Sequence, residues 1–177
     1  MTTSYRSLSL WHETTPTDWT PRQALAGEVE ADVAVVGAGF TGLWTAYYLA
    51  QAEPTLRIVV VESEVAGFGA SGRNGGWCSA LFPTSLGEAQ DAGMRASVDE
   101  VRRVTEAEGI DCHFAKGGTI VLARTRAQLA RARAEYGDDV LSPAAAAQRL
   151  RATRTLGATY TPDCAAIHPG RLVRGLA

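Results

Sequence analysis

The chain has 177 residues, 46% of them hydrophobic and 20% charged. That composition excludes collagen-like, coiled-coil and disordered classes and leaves a globular chain of one domain, or one and a fraction, with enough length to bury a core. With 17 basic and 19 acidic side chains the net charge is −2, too balanced to imply nucleic acid or an anionic membrane as partner. All the basic residues but Lys116 are arginines, which we read as coding bias.

Residues 1–16 hold no basic segment followed by an apolar stretch, and no apolar run approaches a membrane span, so a cytoplasmic protein is expected. Cys78, Cys112 and Cys164 are odd in number and widely spaced, which points to reduced thiols and not to a disulfide scaffold.

Residues 1–28 mix Trp11, Trp19, Pro16 and Pro21 with Thr and Ser, without a sustained period. They are read as an extended arm, ordered only where its tryptophans find a groove. Residues 31–36 form a short β-branched run suited to a central parallel strand. A helix is expected from Phe40 to about Gln51, with Leu43, Ala46, Tyr47 and Ala50 on one face, ending before Pro54. Ile58–Val61 is a second buried strand, which completes a right-handed βαβ unit. Residues 65–76 hold five glycines in twelve and can only be a loop. Residues 86–108 read as a helix stopped by Gly109, and 118–124 as a strand. A helix capped by Thr125 and Gln128 should end at Gly137. Ser142-Pro143 opens a short helix, 157–160 is a strand, and Pro169–Ala177 begins a helix without a terminal cap, so the chain reads as cut.

The chemistry lies in Gly37-Ala-Gly39-Phe-Thr-Gly42, set between strand and helix, with Glu62 at the end of the next strand, twenty residues past the third glycine. In that context the glycines permit a tight turn, backbone approach to a pyrophosphate and close helix–strand packing, and the acid suits ribose hydroxyls. Free amides of the first helical turn, around Phe40 and Thr41, would meet the phosphates. Spacing alone leaves NAD and FAD open.

Soon after Glu62 comes Val65-Ala-Gly-Phe-Gly-Ala-Ser-Gly-Arg-Asn-Gly-Gly76. With this stretch the chain resembles the FAD-dependent oxidoreductases of the D-amino acid oxidase and glycine/sarcosine oxidase superfamily. Together with the Trp-containing arm, it resembles the γ-glutamylputrescine oxidase branch. The resemblance implies an α/β fold: a Rossmann-type βαβ FAD-binding unit plus the start of an α+β substrate domain, truncated. It divides the chain into an arm (1–28), a FAD-binding part (29–85), a partial substrate domain (86–168) and the start of a returning helix (169–177).

It further implies that Gly37, Gly39, Phe40, Thr41 and Gly42 bind the FAD pyrophosphate, Glu62 the ribose, and Ala70, Ser71, Arg73, Asn74, Gly75 and Gly76 the stretch from the second phosphate to the flavin, with Ser63 also among the cofactor-binding residues. Arg73 is read either as a cofactor contact or as a surface arginine. The loop contains no histidine, so FAD should be noncovalent, with Cys78 the one exception weighed. The implied reaction oxidises the C–N bond of a small amine or amino acid by hydride transfer to flavin N5, with O2 as acceptor. No catalytic base is identified. His12, His113 and His168 have no metal spacing and are expected at the surface or at strand ends, and the arginine-rich helix from Arg124 is a solvated face. A noncatalytic fragment or nucleotide-binding module is the alternative, and an NAD-dependent dehydrogenase ranks last.

Overall fold

The computed structural model describes residues 4–82 and 87–177, which divide into two compact units. One comprises the chain up to Trp77 together with Glu100–Phe114 and Ile167–Ala177; the other comprises Cys78–Asp99 and Ala115–Ala166. Among the described residues no helix is long and apolar enough to cross a membrane, and no three His, Cys, Asp or Glu side chains come together as a metal site.

The first unit is built on β1 (Val33–Val36), α2 (Phe40–Ala52) and β2 (Ile58–Val61), preceded by a short helix α1 (Leu10–Thr14). β1 and β2 are parallel, with Val33 opposite Ile58 and Val36 opposite Val61. Their entry is fixed by Asp32, whose carboxylate takes bonds from the Arg57 backbone (2.8 Å) and guanidinium (2.9 Å). The expected burial of both strands does not hold: β2 is half-buried and Val36 is 87% exposed. Among the described residues the two strands pair only with each other, so β-branched side chains suited to a covered sheet meet solvent on one face. The predicted helical face is divided in the same way. Leu43 joins Ala38 and Val173 in the core, Ala46 and Tyr47 line a cavity, and Ala50 is exposed.

α3 (Glu88–Ala107) runs from the second unit into the first, and its predicted start at 86, like the 85/86 boundary, falls outside the described residues. Of Val98, Val101 and Val104, which recur at steps of three, the first and last are buried and Val101 is half-buried. Two tyrosines of α2 reach this part of the first unit: Tyr48 donates to Glu100 (2.7 Å) and Tyr47 to Glu108 (2.8 Å). Bonds from Arg103 and Tyr48 hold Glu100 down to about 2. α6 (Pro169–Gly175) completes the unit, with Leu172 and Val173 buried.

In the second unit β4 (Thr119–Ala123) pairs antiparallel with β5 (Gly157–Thr161). The short strand β3 (Trp77–Ser79), whose last two residues belong to this unit, pairs with β6 (Cys164–Ala166). α4 (Arg126–Tyr136) starts on the predicted capping box: Thr125 Oγ1 accepts from the Gln128 amide (3.2 Å) while Gln128 Oε1 accepts from the Thr125 amide (3.0 Å). α5 (Pro143–Arg149) is capped by Ser142. Lys116 lies between Asp99 (2.6 Å) and Asp163 (3.6 Å).

The arm is where folding departs most from expectation. Where an extended arm is expected throughout, its first half forms a 3-10 turn at Tyr5–Leu8 and then α1, whose first turn is capped by Ser9 Oγ accepting the His12 amide (3.2 Å), while residues 15–28 hold neither helix nor strand. Five residues are too few for a hydrophobic period to show, and so short a helix is held by its partners and not by propensity.

Candidate functional site

The turn after β1 is tied to the end of β2 at two points. The Gly37 amide donates to the Val61 carbonyl (2.7 Å), and the Ala38 amide donates to Glu62 Oε2 (2.9 Å). Gly37 has φ +100, a conformation open to glycine at little cost. Gly39 is the extended residue that caps α2. A Cβ on Gly42 would collide with the Gly37 carbonyl oxygen and lie 3.1 Å from Val35 Cγ1, so this glycine is required by helix–strand packing. The first bond within the helix runs from Leu43 to Gly39, which leaves the Thr41 and Gly42 amides without an intrahelical acceptor at the positive end of the dipole.

Glu62 has two demands on its carboxylate. Burial pulls its pKa upward, but the amides of Ala38 and Glu64 and the Ser63 hydroxyl outweigh this and keep it below the usual carboxylate range. The acid is therefore ionised at neutral pH while bracing the glycine turn. Beside it opens a cavity of about 760 Å³ whose walls include Ala38, Leu43, Val60, Glu62 and Ser63, a size suited to a small organic ligand.

The glycine-rich loop comes to the same place. Ser71, in a 3-10 turn at Ala70–Gly72, accepts the Phe40 amide on Oγ (2.8 Å) and so caps α2 from the second motif. The Gly67 amide donates to the Ala38 carbonyl (3.0 Å). Two loop glycines are set by contact: a Cβ on Gly67 would strike Val173, and one on Gly72 the Gly67 carbonyl. Gly69 and Gly75 have open space where a side chain would project, and at Gly39 only Ser71 Oγ comes near (3.0 Å). Gly69 and Gly75 are exposed, and with Gly39 they leave main chain uncovered by side chains, which fits backbone approach by a phosphate-bearing cofactor.

The predicted site residues thus separate by role. Gly37, Gly39, Phe40, Thr41 and Gly42 share one turn with Glu62, Ser63 and Ser71, and Ala70 is exposed beside them. Arg73 is exposed, its guanidinium 4.9 Å from the Phe68 ring centre. Asn74 turns inward: Nδ2 donates to the Ala70 (3.3 Å) and Ser71 (3.0 Å) carbonyls, and Oδ1 accepts the Gly76 amide (2.8 Å). Its side chain shapes the loop. Gly75 is exposed, and Gly76 is pinned, its carbonyl accepting from Ile167 (2.9 Å). Sequence reasoning overlooked Ala38 and the reach of the arm. The Trp content of the arm was visible, but its targets were not.

The histidines also differ from expectation. His113 is exposed, but His12 and His168 are buried, at 0% and 5% exposure. His168 caps α6, with Nδ1 accepting the Arg171 amide (3.2 Å) and Nε2 paired with Thr14 Oγ1 (2.9 Å). Ser9 Oγ pairs with His12 Nδ1 (2.6 Å). Burial lowers both pKa values, with Arg73 adding to the effect at His12, and Arg171 and His113 at His168. The unfolded chain takes up protons near the usual histidine value of about 6.5, while in the folded chain both rings take them up only at lower pH. Stability therefore rises with pH from the lowered folded values up to that point, then levels. The urea midpoint is expected to be lower at pH 5.5 than at pH 7.5; equal midpoints would mean that folding lowers neither histidine's pKa.

A glycine turn between strand and helix, with an acid closing the next strand, defines a dinucleotide-binding protein of the Rossmann class. Residues 32–177 match the family described as DAO, FAD dependent oxidoreductase, and the chain belongs to that family of FAD-dependent flavoproteins. It is 30% identical over 189 residues to gamma-glutamylputrescine oxidoreductase of Escherichia coli (strain K12), an alignment covering 96% of this chain and 44% of that protein. Among solved structures it resembles glycine oxidase from Geobacillus kaustophilus, with TM-score 0.67, 25% identity and coverage of 83% of this chain and 43% of the other. The fold also resembles L-amino acid deaminase from Proteus vulgaris, with TM-score 0.69, 23% identity, and 90% and 40% coverage. The chain spans less than half the length of these relatives.

Proposed function

We propose that this chain is the cofactor-binding portion of a cytoplasmic FAD-dependent oxidase acting on the C–N bond of an amine or amino acid, with a γ-glutamylputrescine-like substrate. The observation that carries the reading is the junction of the two motifs, where Ser71 of the glycine-rich loop caps the helix that follows Gly37–Gly42 while Glu62 braces the same turn.

On this reading the unpaired Thr41 and Gly42 amides, with Gly37, Gly39 and Phe40, hold the pyrophosphate, and Glu62 with Ser63 accepts the ribose hydroxyls beside the cavity. The Phe40 amide is shared with Ser71. Ala70, Ser71, Arg73, Gly75 and Gly76 line the way toward the flavin, and Asn74 contributes by holding that loop in shape. FAD, bound noncovalently, supplies the hydride acceptor for C–N oxidation. The chain's own part is to orient that cofactor through main-chain amides and to keep Glu62 ionised. Residues 29–85 form the FAD-binding part and 86–168 the beginning of the substrate domain, which takes a small amine.

The test is a titration of the purified chain with FAD, followed by visible spectrum and fluorescence, with peroxide assayed after adding γ-glutamylated diamines, free polyamines or glycine. A micromolar dissociation constant with a resolved flavin band is expected, and any peroxide should be greatest with the γ-glutamylated diamine. Protein that stays colourless and leaves flavin fluorescence unchanged would reduce the chain to a module without this cofactor.

A further inference from the structure

Two aromatic residues of the N-terminal arm, Tyr5 and Trp11, meet the glycine-rich loop near its two ends. Tyr5 donates to Glu64 (2.8 Å), just ahead of the loop, and stacks edge-on against Phe68 at 6.1 Å. His12, in the same short helix as Trp11, is fully buried. At the far end Trp11 donates from its indole nitrogen to the Asn74 carbonyl (2.7 Å). The Trp11 ring also closes over Gly76: a Cβ there would lie 3.3 Å from Trp11 Cζ2 and 2.6 Å from the Ile167 carbonyl, and φ at Gly76 is +69.

The other side of the arm is anchored. Thr15 Oγ1 donates to the Trp11 carbonyl (2.5 Å), and Trp19 donates to the His12 carbonyl (3.0 Å). α6 packs so closely on α1 that a Cβ on Gly170 would lie 2.6 Å from Thr15 Oγ1 and 2.8 Å from the Trp11 carbonyl oxygen. The Trp11 ring rests on His168, centroids 4.9 Å apart. Trp11 is therefore held from behind by α6 and presents one donor and one ring face to the stretch Asn74–Gly76.

We infer that Trp11 is a positioning residue for the cofactor, acting through the Asn74 carbonyl to set the backbone of Gly75 and Gly76, so that the arm governs binding at the flavin end of the site. The inference rests on the reading of loop 70–76 as the flavin-side stretch. The Gly37–Gly42 turn and Glu62 make their contacts without the Trp11 indole. The two halves of the cofactor should consequently respond differently to its loss.

Trp11→Phe keeps an aromatic ring and removes the donor. In the full chain the FAD dissociation constant should rise about five- to tenfold, as for one lost hydrogen bond, with that for ADP, which carries only the adenosine and pyrophosphate part, unchanged. In ligand-free protein the Gly76 amide, bonded to Asn74 Oδ1 (2.8 Å), should exchange with deuterium faster than in the parent chain. If the FAD-to-ADP affinity ratio and the exchange are both unchanged, Trp11 does not position the loop. If ADP and FAD weaken together, Trp11 supports the fold in general and the inference is equally overturned. A parent chain that binds ADP but not FAD would instead overturn the cofactor reading, while amide exchange would still decide whether Trp11 holds the loop.

Discussion

Gly42→Val should leave a chain that neither melts cooperatively nor binds nucleotide. The added Cβ would fall on the Gly37 carbonyl oxygen and lie 3.1 Å from Val35 Cγ1, and both neighbours belong to the strand and turn that α2 must approach. Neither can give way cheaply, since Gly37 is tied to Val61 and the adjoining Ala38 to Glu62. Overpacking of this kind against backbone costs about 3 kcal/mol or more, a large share of the roughly 5–15 kcal/mol that holds a typical domain together. Circular dichroism during heating would show a shallow, low-temperature transition or none. A variant that melts within a few degrees of the parent would show that the helix can retreat from the strand.

Gly39→Leu should do the opposite, keeping the fold and losing the cofactor. Gly39 has ordinary extended angles, and apart from Ser71 Oγ nothing crowds the position of its Cβ, so the ligand-free protein accommodates a side chain by a small shift of one hydroxyl. That open space is where the proposed pyrophosphate approaches the backbone. An isobutyl group there would occlude it, and FAD affinity should fall at least about a hundredfold, a penalty of roughly 2.7 kcal/mol, with the melting temperature nearly unchanged. Fluorescence titration is the measurement, and an unaltered dissociation constant would remove Gly39 from the site. The two variants together separate a glycine required by packing from one required by a ligand, though both belong to the same six-residue motif.

The βαβ unit was legible because each of its signals is local. β-branched residues at 33–36 and 58–61, a glycine turn, and a helix ending near Pro54 lie within about thirty residues, and the structure places each of these elements within one or two residues of expectation. The capping box at Thr125 and the Ser142-Pro143 start were equally plain, because a cap is decided within four residues. The strand burial misled. A run apolar on both faces predicts a covered sheet, yet coverage depends on what lies above it, and among the described residues β1 and β2 pair only with each other. β3 and β6 escaped notice because three residues carry no readable period.

By itself the sequence determined the order of strand, glycine turn and helix and the placing of an acid at the end of the second strand; those spacings left NAD and FAD open, and FAD followed from the resemblance carried by residues 65–76. Tertiary structure alone decided that Ser71 would cap α2, that Asn74 would turn its amide inward, that His12 and His168 would be buried, and that Trp11 would grip a carbonyl 63 residues away. The division has a physical cause. Turns, caps and periodicity are set by steric and hydrogen-bonding preferences among residues a few positions apart. A contact between distant segments depends on which arrangement of many repays the entropy of closing the chain between them.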